Sequence, residues 1–416
     1  VTASASATST ARLESDRTLV LVLSYLAFVV LGLLDGMLGV LFALMRVEFN
    51  MGLDALSAIL IPTTVGFLIA SFYVGRILNR RSMAMLIVLA GSLRALSFVG
   101  VALAPQWWII PVIAIFMGMS GGAIDAGMNT WFAIRYSPRL MNWLHASFGV
   151  GATVGPIALA GLLGLGFDWR SGFVAMASVQ VLIVLAAWLT RSRWRIPPLP
   201  DLTEAPPLPE EGTESQPAKL SPAEMPMSRT LRLPAVWLGI AVFFFYTGVE
   251  LTTGNWSFTI LTEARGIDIA RAATWVSLFW GSFALGRIFF GFVEVRSLAM
   301  LLRGVMVAAL LGALLLALGS AEWMALVAIV VIGFSVAPVF PLLVSETPLR
   351  LGRAHAQNAI GLQVGAASLG IAVLPSLAGA IAEATSVSII PWFIVVVAVI
   401  LILLHELLLR TARHVP

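Results

Sequence analysis

The 416-residue chain has no cysteine, only four histidines and four tyrosines, and just 11% charged residues. Without cysteine there is no disulfide, no thiolate metal site and no thiol nucleophile. Soluble domains carry about 25% charged residues, so so sparse a charge excludes an ordinary soluble fold. Also missing are a phosphate-cradling glycine loop, a zinc-ligand spacing and a nucleophile elbow. No catalytic or metal site is therefore expected, and no enzyme. What fills the chain instead is apolar: 59% hydrophobic residues and a mean hydropathy of +0.97, the composition of an integral membrane protein. In such a protein the net charge of +4 reports orientation first, and no nucleic-acid partner is expected.

A spanning helix needs about 20 mostly apolar residues. Twelve segments meet that length: 18–46, 54–79, 81–104, 107–137, 141–166, 170–195, then 234–264, 269–293, 296–320, 321–349, 354–384 and 386–412. Most connections are very short, so neighbours run antiparallel. The exception is 196–233, where Pro197, Pro198, Pro200, Pro206, Pro207 and Pro209 mix with Glu210, Glu211 and Glu214. Such a stretch reads as a flexible linker between six-helix bundles at 18–195 and 234–412. Residues 1–17 and 413–416 read as tails, the first of them polar and disordered. Nineteen basic residues fall on the linker's side, against Arg46, Arg170, Arg265 and Arg271 on the other. Basic loops stay in the cytoplasm, so both termini and the linker are expected there, in a multi-pass protein of the cell (inner) membrane.

The two halves are related. A constant shift of 215 positions carries Asp35 onto Glu250, Gly39 onto Gly254, Gly66 onto Gly281 and Gly118 onto Gly333. It also superimposes Ser82, Ala84, Met85 and Leu86 on Ser297, Ala299, Met300 and Leu301. A carboxylate near the bilayer centre costs about 2.5–3.5 kcal/mol even on a lenient insertion scale. That this cost recurs at equivalent places points to a chain that uses the charge.

Other polar residues share faces with these acids. Segment 4 aligns Gly118, Gly122, Asp125 and Asn129, with Asp125 and Asn129 four apart and so on one face. Either they hold a cation or a sugar hydroxyl, or they clip two helices together. In segment 5, His145 is a candidate proton relay or a satisfied structural group. Segment 7 runs Tyr246-Thr247-Gly248-Val249-Glu250-Leu251-Thr252-Thr253-Gly254-Asn255-Trp256, a density of small and polar residues that predicts a broken helix lining a cavity. Trp256 there would stack on a sugar ring or sit in the interfacial belt. Segment 11 offers the amides Gln357, Asn358 and Gln363, suited to neutral polyols. Arg94 and Arg303 read as counter-charges, and Glu346, near Arg350, as a gate or surface ion pair.

Gly75, Asn79, Arg80 and Arg81 resemble the Gly-x-x-x-Asp-Arg/Lys signature of major facilitator transporters, with Asn79 where an Asp is usual. The layout of twelve helices in two six-helix pseudo-repeats matches that fold as well. Asp35, the run Gly122-Ala123-Ile124-Asp125-Ala126-Gly127-Met128-Asn129, the run Leu144-His145-Ala146-Ser147-Phe148-Gly149 and Tyr246-Thr247-Gly248-Val249-Glu250 resemble the L-fucose permease branch and its sodium-coupled glucose transporter relatives. That resemblance implies proton handling and sugar binding by Asp35 and Asp125. Trp143 and Ala146 stand where L-fucose permease has amides, which argues against fucose as the ligand. Asn79 weakens the usual acidic lock and implies a gate of Asn79, Arg80, Arg287 and Glu346.

The expectation is an all-α membrane protein that works as a monomer by alternating access and needs no cofactor beyond a coupling proton or sodium ion. It would carry a small polar solute, a sugar first, by cation-coupled symport. Asp35, Asp125, Glu250 and His145 would handle the coupling ion, and Asn129, Trp256, Asn255, Asn358, Gln363 and Gln357 the solute. Proton-driven efflux of amphipathic compounds and a solute sensor that does not transport are the alternatives.

Overall fold

The structure, a computed structural model, describes residues 2–80, 82–194, 226–293 and 297–412; within these, no side chain is described for 2–15, 79, 80, 138, 353, 357 and 412. In lipid only a helix or a closed barrel satisfies every backbone polar group internally. Accordingly the apolar runs fold as twelve helices long and apolar enough to cross a membrane. They are α1 (Asp16–Glu48), α2 (Leu53–Leu78), α3 (Met83–Ala102), α4 (Ile109–Arg135), α5 (Arg139–Gly164) and α6 (Arg170–Leu189), then α7 (Pro234–Ala264), α8 (Ile269–Phe292), α9 (Leu298–Leu318), α10 (Glu322–Leu351), α11 (Ala354–Ala384) and α12 (Val387–Thr411). Most of the stretch assigned to the linker lies outside the described residues, as do the side chains of Asn79, Arg80 and Gln357.

The internal repeat is visible in packing. In the first set α1 packs on α5, α2 on α4, and α3 on α4 and α6. In the second, α7 packs on α11, α8 on α10, and α9 on α10 and α12. Even a cap repeats. The Ser82 hydroxyl accepts from the Met85 N–H at 3.3 Å, and its counterpart Ser297 accepts from Met300 at 3.3 Å, each satisfying a helix-start donor. Gly118 and Gly333 repeat as well: a Cβ at Gly118 would lie 1.9 Å from the Thr63 carbonyl oxygen on α2, and one at Gly333 would lie 2.6 Å from that of Phe279 on α8. Only glycine lets the backbones approach so closely.

Three expectations need correction. The first helix is continuous from Thr2 to Glu48, where a disordered tail was expected; extending an existing helix through Ala- and Ser-rich sequence avoids the cost of nucleation. The polar stretch of α7 is not broken. It is helical from Pro234 through Thr259, because Thr253 and Ser257 return their hydroxyls to the carbonyls of Val249 and Thr253 at 2.8 and 2.6 Å. A π turn, Ile260–Ala264, follows it. The interruption lies instead in α10, divided into Glu322–Val336 and Val339–Leu351 at Pro338, whose ring removes a backbone donor.

The two sets meet along α2–α11, α5–α8 and α1–α7. The first two seams are exchanged by the repeat, and the third is its own image. The remaining self-image, α4 against α10, makes no more than marginal contact among the described residues. The far end, away from the linker, is closed. There Arg46 on α1 forms an ion pair with Glu263 on α7, and the Leu53 N–H donates to Glu383 Oε2 at 2.6 Å. The seam is thus least closed between α4 and α10.

Candidate functional site

Asp35 lies midway along α1. Gly32 and Gly36 on the same helix bring α5 close: a Cβ at either would fall 1.9 Å and 2.1 Å from the carbonyl oxygens of Phe148 and Ala152. Asp35 is half-buried and near enough to Arg94 of α3 for their charges to act on each other. Arg94 is 3% exposed, stacks over the Phe98 ring at 5.1 Å and lies against Gly121 of α4. On α4, Asn129 Nδ2 donates to Asp125 Oδ1 at 3.2 Å, which realises the predicted pair, and Asp125 senses the charge of Asp35.

From the other half, Glu250 on α7 is 8% exposed and lies within reach of two charges, Arg287 on α8 and Asp35 across the seam. Tyr246, one turn earlier on α7, puts its buried hydroxyl beside Glu250 and Arg287, without hydrogen-bond geometry to either. Arg287 stacks over Phe283 at 4.3 Å and faces His145 of α5, whose ring stands edge-on to Phe28 at 5.9 Å. Among the described residues, Asp35, Asp125 and Glu250 form no salt bridge. The arrangement is thus an open electrostatic network: three carboxylates, two arginines, a histidine and an amide drawn from six helices. Groups so placed can take up a cation without first breaking a locked pair.

The other sequence candidates lie elsewhere. Trp256 is fully buried, donates from Nε1 to the Pro375 carbonyl at 2.9 Å and packs edge-on against Phe42 at 5.8 Å. It is a packing residue of the α7–α11 contact, not a sugar platform. Asn255 is 1% exposed at the crossing of α1 and α7, where a Cβ at Gly39 would lie 2.4 Å from its carbonyl oxygen, and its buried side-chain amide has no hydrogen-bond partner among the described residues. Asn358 donates to Thr230 Oγ1 at 3.3 Å, near the linker end. Gln363 is buried, accepts from Thr347 Oγ1 at 2.9 Å and packs against Gly239. Gln363 is thus held within its own half.

The gate assignments shift too. Glu346 pairs with Arg350 one turn along the same helix, with both side chains largely buried; it is neither a surface pair nor a bridge between halves. Arg287, assigned to the gate because it lies near a span end, belongs to the Glu250 network. Arg303 is held by Glu406 of α12 at 2.5 Å, a structural pair. Sequence reasoning gave no site role to Tyr246, although its four-residue spacing from Glu250 puts both on one helix face. A groove of about 560 Å³ along α2, past Val65, Leu68, Ile69, Phe72, Tyr73 and Arg76, contains none of the acids and is not the site.

Twelve spans in two like-packed sets, with charges from both on the helices that meet at the seam, define a membrane transporter. The chain belongs to the Major Facilitator Superfamily, whose family model matches residues 24–363, and is accordingly a multi-pass transporter rather than an enzyme. Similar curated proteins include Bypass of stop codon protein 6 of Saccharomyces cerevisiae, 24% identical over 65% of this chain and 56% of that protein. Another is Sodium-dependent glucose transporter 1A of Mus musculus, 25% identical over 63% of this chain and 66% of that protein. The matched stretch thus spans less than two thirds of either relative's length. Among solved structures, the nucleoside transporter NupG matches with a TM-score of 0.73 and 13% identity, over 93% of this chain and 98% of that one. A bacterial homolog of the human lysosomal transporter Spinster matches with a TM-score of 0.72 and 13% identity, over 97% of each chain. At such identities the structures speak for the fold alone.

Proposed function

We propose that the protein is a cation-coupled symporter of a small polar solute, a sugar, that works by alternating access in the cell membrane as a monomer, with both termini cytoplasmic. The observation that carries this reading is that the two halves place one acid each, Asp35 and Glu250, on the two helices, α1 and α7, that meet at the seam. A carboxylate left ionised and empty resists enclosure by low-dielectric walls. A proton or sodium ion that neutralises it removes that cost, and the solute then binds the Asp125–Asn129 ladder as the seam closes at the linker end. Release of the Arg46–Glu263 pair would open the far end in turn. Resemblance to a relative named as a sodium-dependent glucose transporter supports the sugar and the coupling.

The test is sugar uptake into proteoliposomes under an imposed proton or sodium gradient, with wild type and Asp35→Asn compared. Wild type is expected to accumulate sugar against its gradient; Asp35→Asn is expected to equilibrate it only. Full accumulation by Asp35→Asn overturns the coupling role, and gradient-driven extrusion of amphipathic dyes with no sugar uptake overturns symport itself.

A further inference from the structure

The linker end of the first half carries a charge pattern that transport does not use. Three elements converge there: the start of α1, the end of α4 and the end of α6. Arg193 lies 3.5 Å from Asp16, Trp194 packs on Trp131 at 5.7 Å, and Trp131 packs on Tyr136 at 5.5 Å. Over this aromatic floor lie arginines. Arg17 stands over Tyr136 at 5.3 Å, and Arg191 over Trp188 at 4.5 Å while donating to the Trp188 carbonyl at 3.1 Å. Stacking on a ring orients a guanidinium but leaves its charge intact and most of its N–H donors facing outward. Arg193 is 52% exposed, and Asp16, its salt-bridge partner among the described residues, is at 3.5 Å.

Two arginines of the second half are held differently. Arg303 is held by both oxygens of Glu406, at 2.5 and 2.7 Å, and Arg350 by Glu346. Those charges are spent within the protein. Directly below Arg191 and Arg193, α6 exposes Leu182, Leu185 and Leu189 at 65%, 51% and 77%, three and four residues apart and therefore on one face. Trp188, beside Leu189 and under Arg191, is an aromatic ring with a polar edge of the kind that marks the headgroup level.

We propose that this surface binds an anionic phospholipid, its phosphate held by Arg191 and Arg193 with Arg17 alongside, and an acyl chain lying on Leu182, Leu185 and Leu189. Bidentate guanidinium–phosphate contact supplies the recognition, and the charge of the lipid matches what the first half leaves unspent. A zwitterionic lipid carries the same chains and phosphate but adds an amine that the arginines repel.

Native mass spectrometry of the full chain, released from micelles containing equimolar phosphatidylglycerol and phosphatidylcholine, tests the proposal. Wild type is expected to retain phosphatidylglycerol selectively. The double variant Arg191→Gln/Arg193→Gln is expected to retain it about thirtyfold less strongly, from the loss of two basic contacts, while Arg303→Gln on the second half retains it as wild type does. Thermal melts of all three show whether a loss reflects unfolding. Stabilisation of wild type by phosphatidylglycerol but not by inorganic phosphate assigns the effect to the lipid. Equal retention of the two lipids by wild type, an equal loss in Arg303→Gln, or stabilisation by inorganic phosphate alone overturns it.

Discussion

Set side by side, α1 and α7 show what a sequence repeat preserves and what it leaves free. Each carries one acid at the equivalent position, each packs on the fifth helix of its own half, and each faces the other at the seam. Around the acids the chemistry diverges. Asp35 is half-buried, with a neighbouring arginine on α3 and a second carboxylate, Asp125, on α4. Glu250 is nearly enclosed, with Arg287 and the Tyr246 hydroxyl beside it. The repeat conserves scaffold, such as the Ser82 and Ser297 caps and the Gly118 and Gly333 approaches, because helix packing tolerates little change there. The counter-charges are free to move: Arg94 and Arg287 do not correspond under the shift that relates the acids. Under this account the accessible acid loads the ion and the enclosed one reports its presence to the second half.

That division of labour is open to attack at several strengths. The largest effect is expected at the acids. Glu250→Gln should abolish both accumulation and sugar exchange, lowering initial uptake by about 100-fold, equivalent to about 2.7 kcal/mol. Asp35→Asn should lose accumulation but keep exchange, so equal losses in the two variants would break the comparison. Next comes the crossing of α1 over α7. Gly39→Val places a side chain against the Asn255 carbonyl, and overpacking of this kind costs about 1–3 kcal/mol. A lower melting temperature and a slower return of the far end to its closed state, followed by the fluorescence of a label placed there, are expected. Smallest is Trp256→Phe. Losing the Nε1 bond to Pro375 should cost about 1 kcal/mol of stability and leave the sugar KM within about twofold of wild type; a KM raised far beyond that would restore Trp256 as a solute contact.

Much of this architecture was legible in the residues. Twelve apolar runs of spanning length and the 215-position shift anticipate the helices and their pairing. Asp125 and Asn129 were readable because i to i+4 spacing on a helix is a local rule. The site's long-range members were not. Trp256 and Glu250 both lie on α7, and nothing in the string says that one turns toward α11 and the other toward the seam. Arg287 looked like a loop charge because it lies five residues from a span end, yet the Phe283 ring draws its side chain to the network. The unbroken α7 also escaped prediction: hydroxyls that return to carbonyls one turn back use up the polarity that suggested a break.

Because the chain has no cysteine, single cysteines can be placed and labelled without background. The most direct measurement is modification of Asn129→Cys and Arg287→Cys, one per half and both partly exposed, by a membrane-impermeant thiol reagent in sided vesicles, with Trp256→Cys, at a fully buried position, as control. The account predicts that Asn129→Cys and Arg287→Cys react from the linker side, that sugar with the coupling ion slows both together, and that Trp256→Cys stays inert. Reaction of only one of the two, or of Trp256→Cys as fast as either, would mean that the halves do not share a hydrated site.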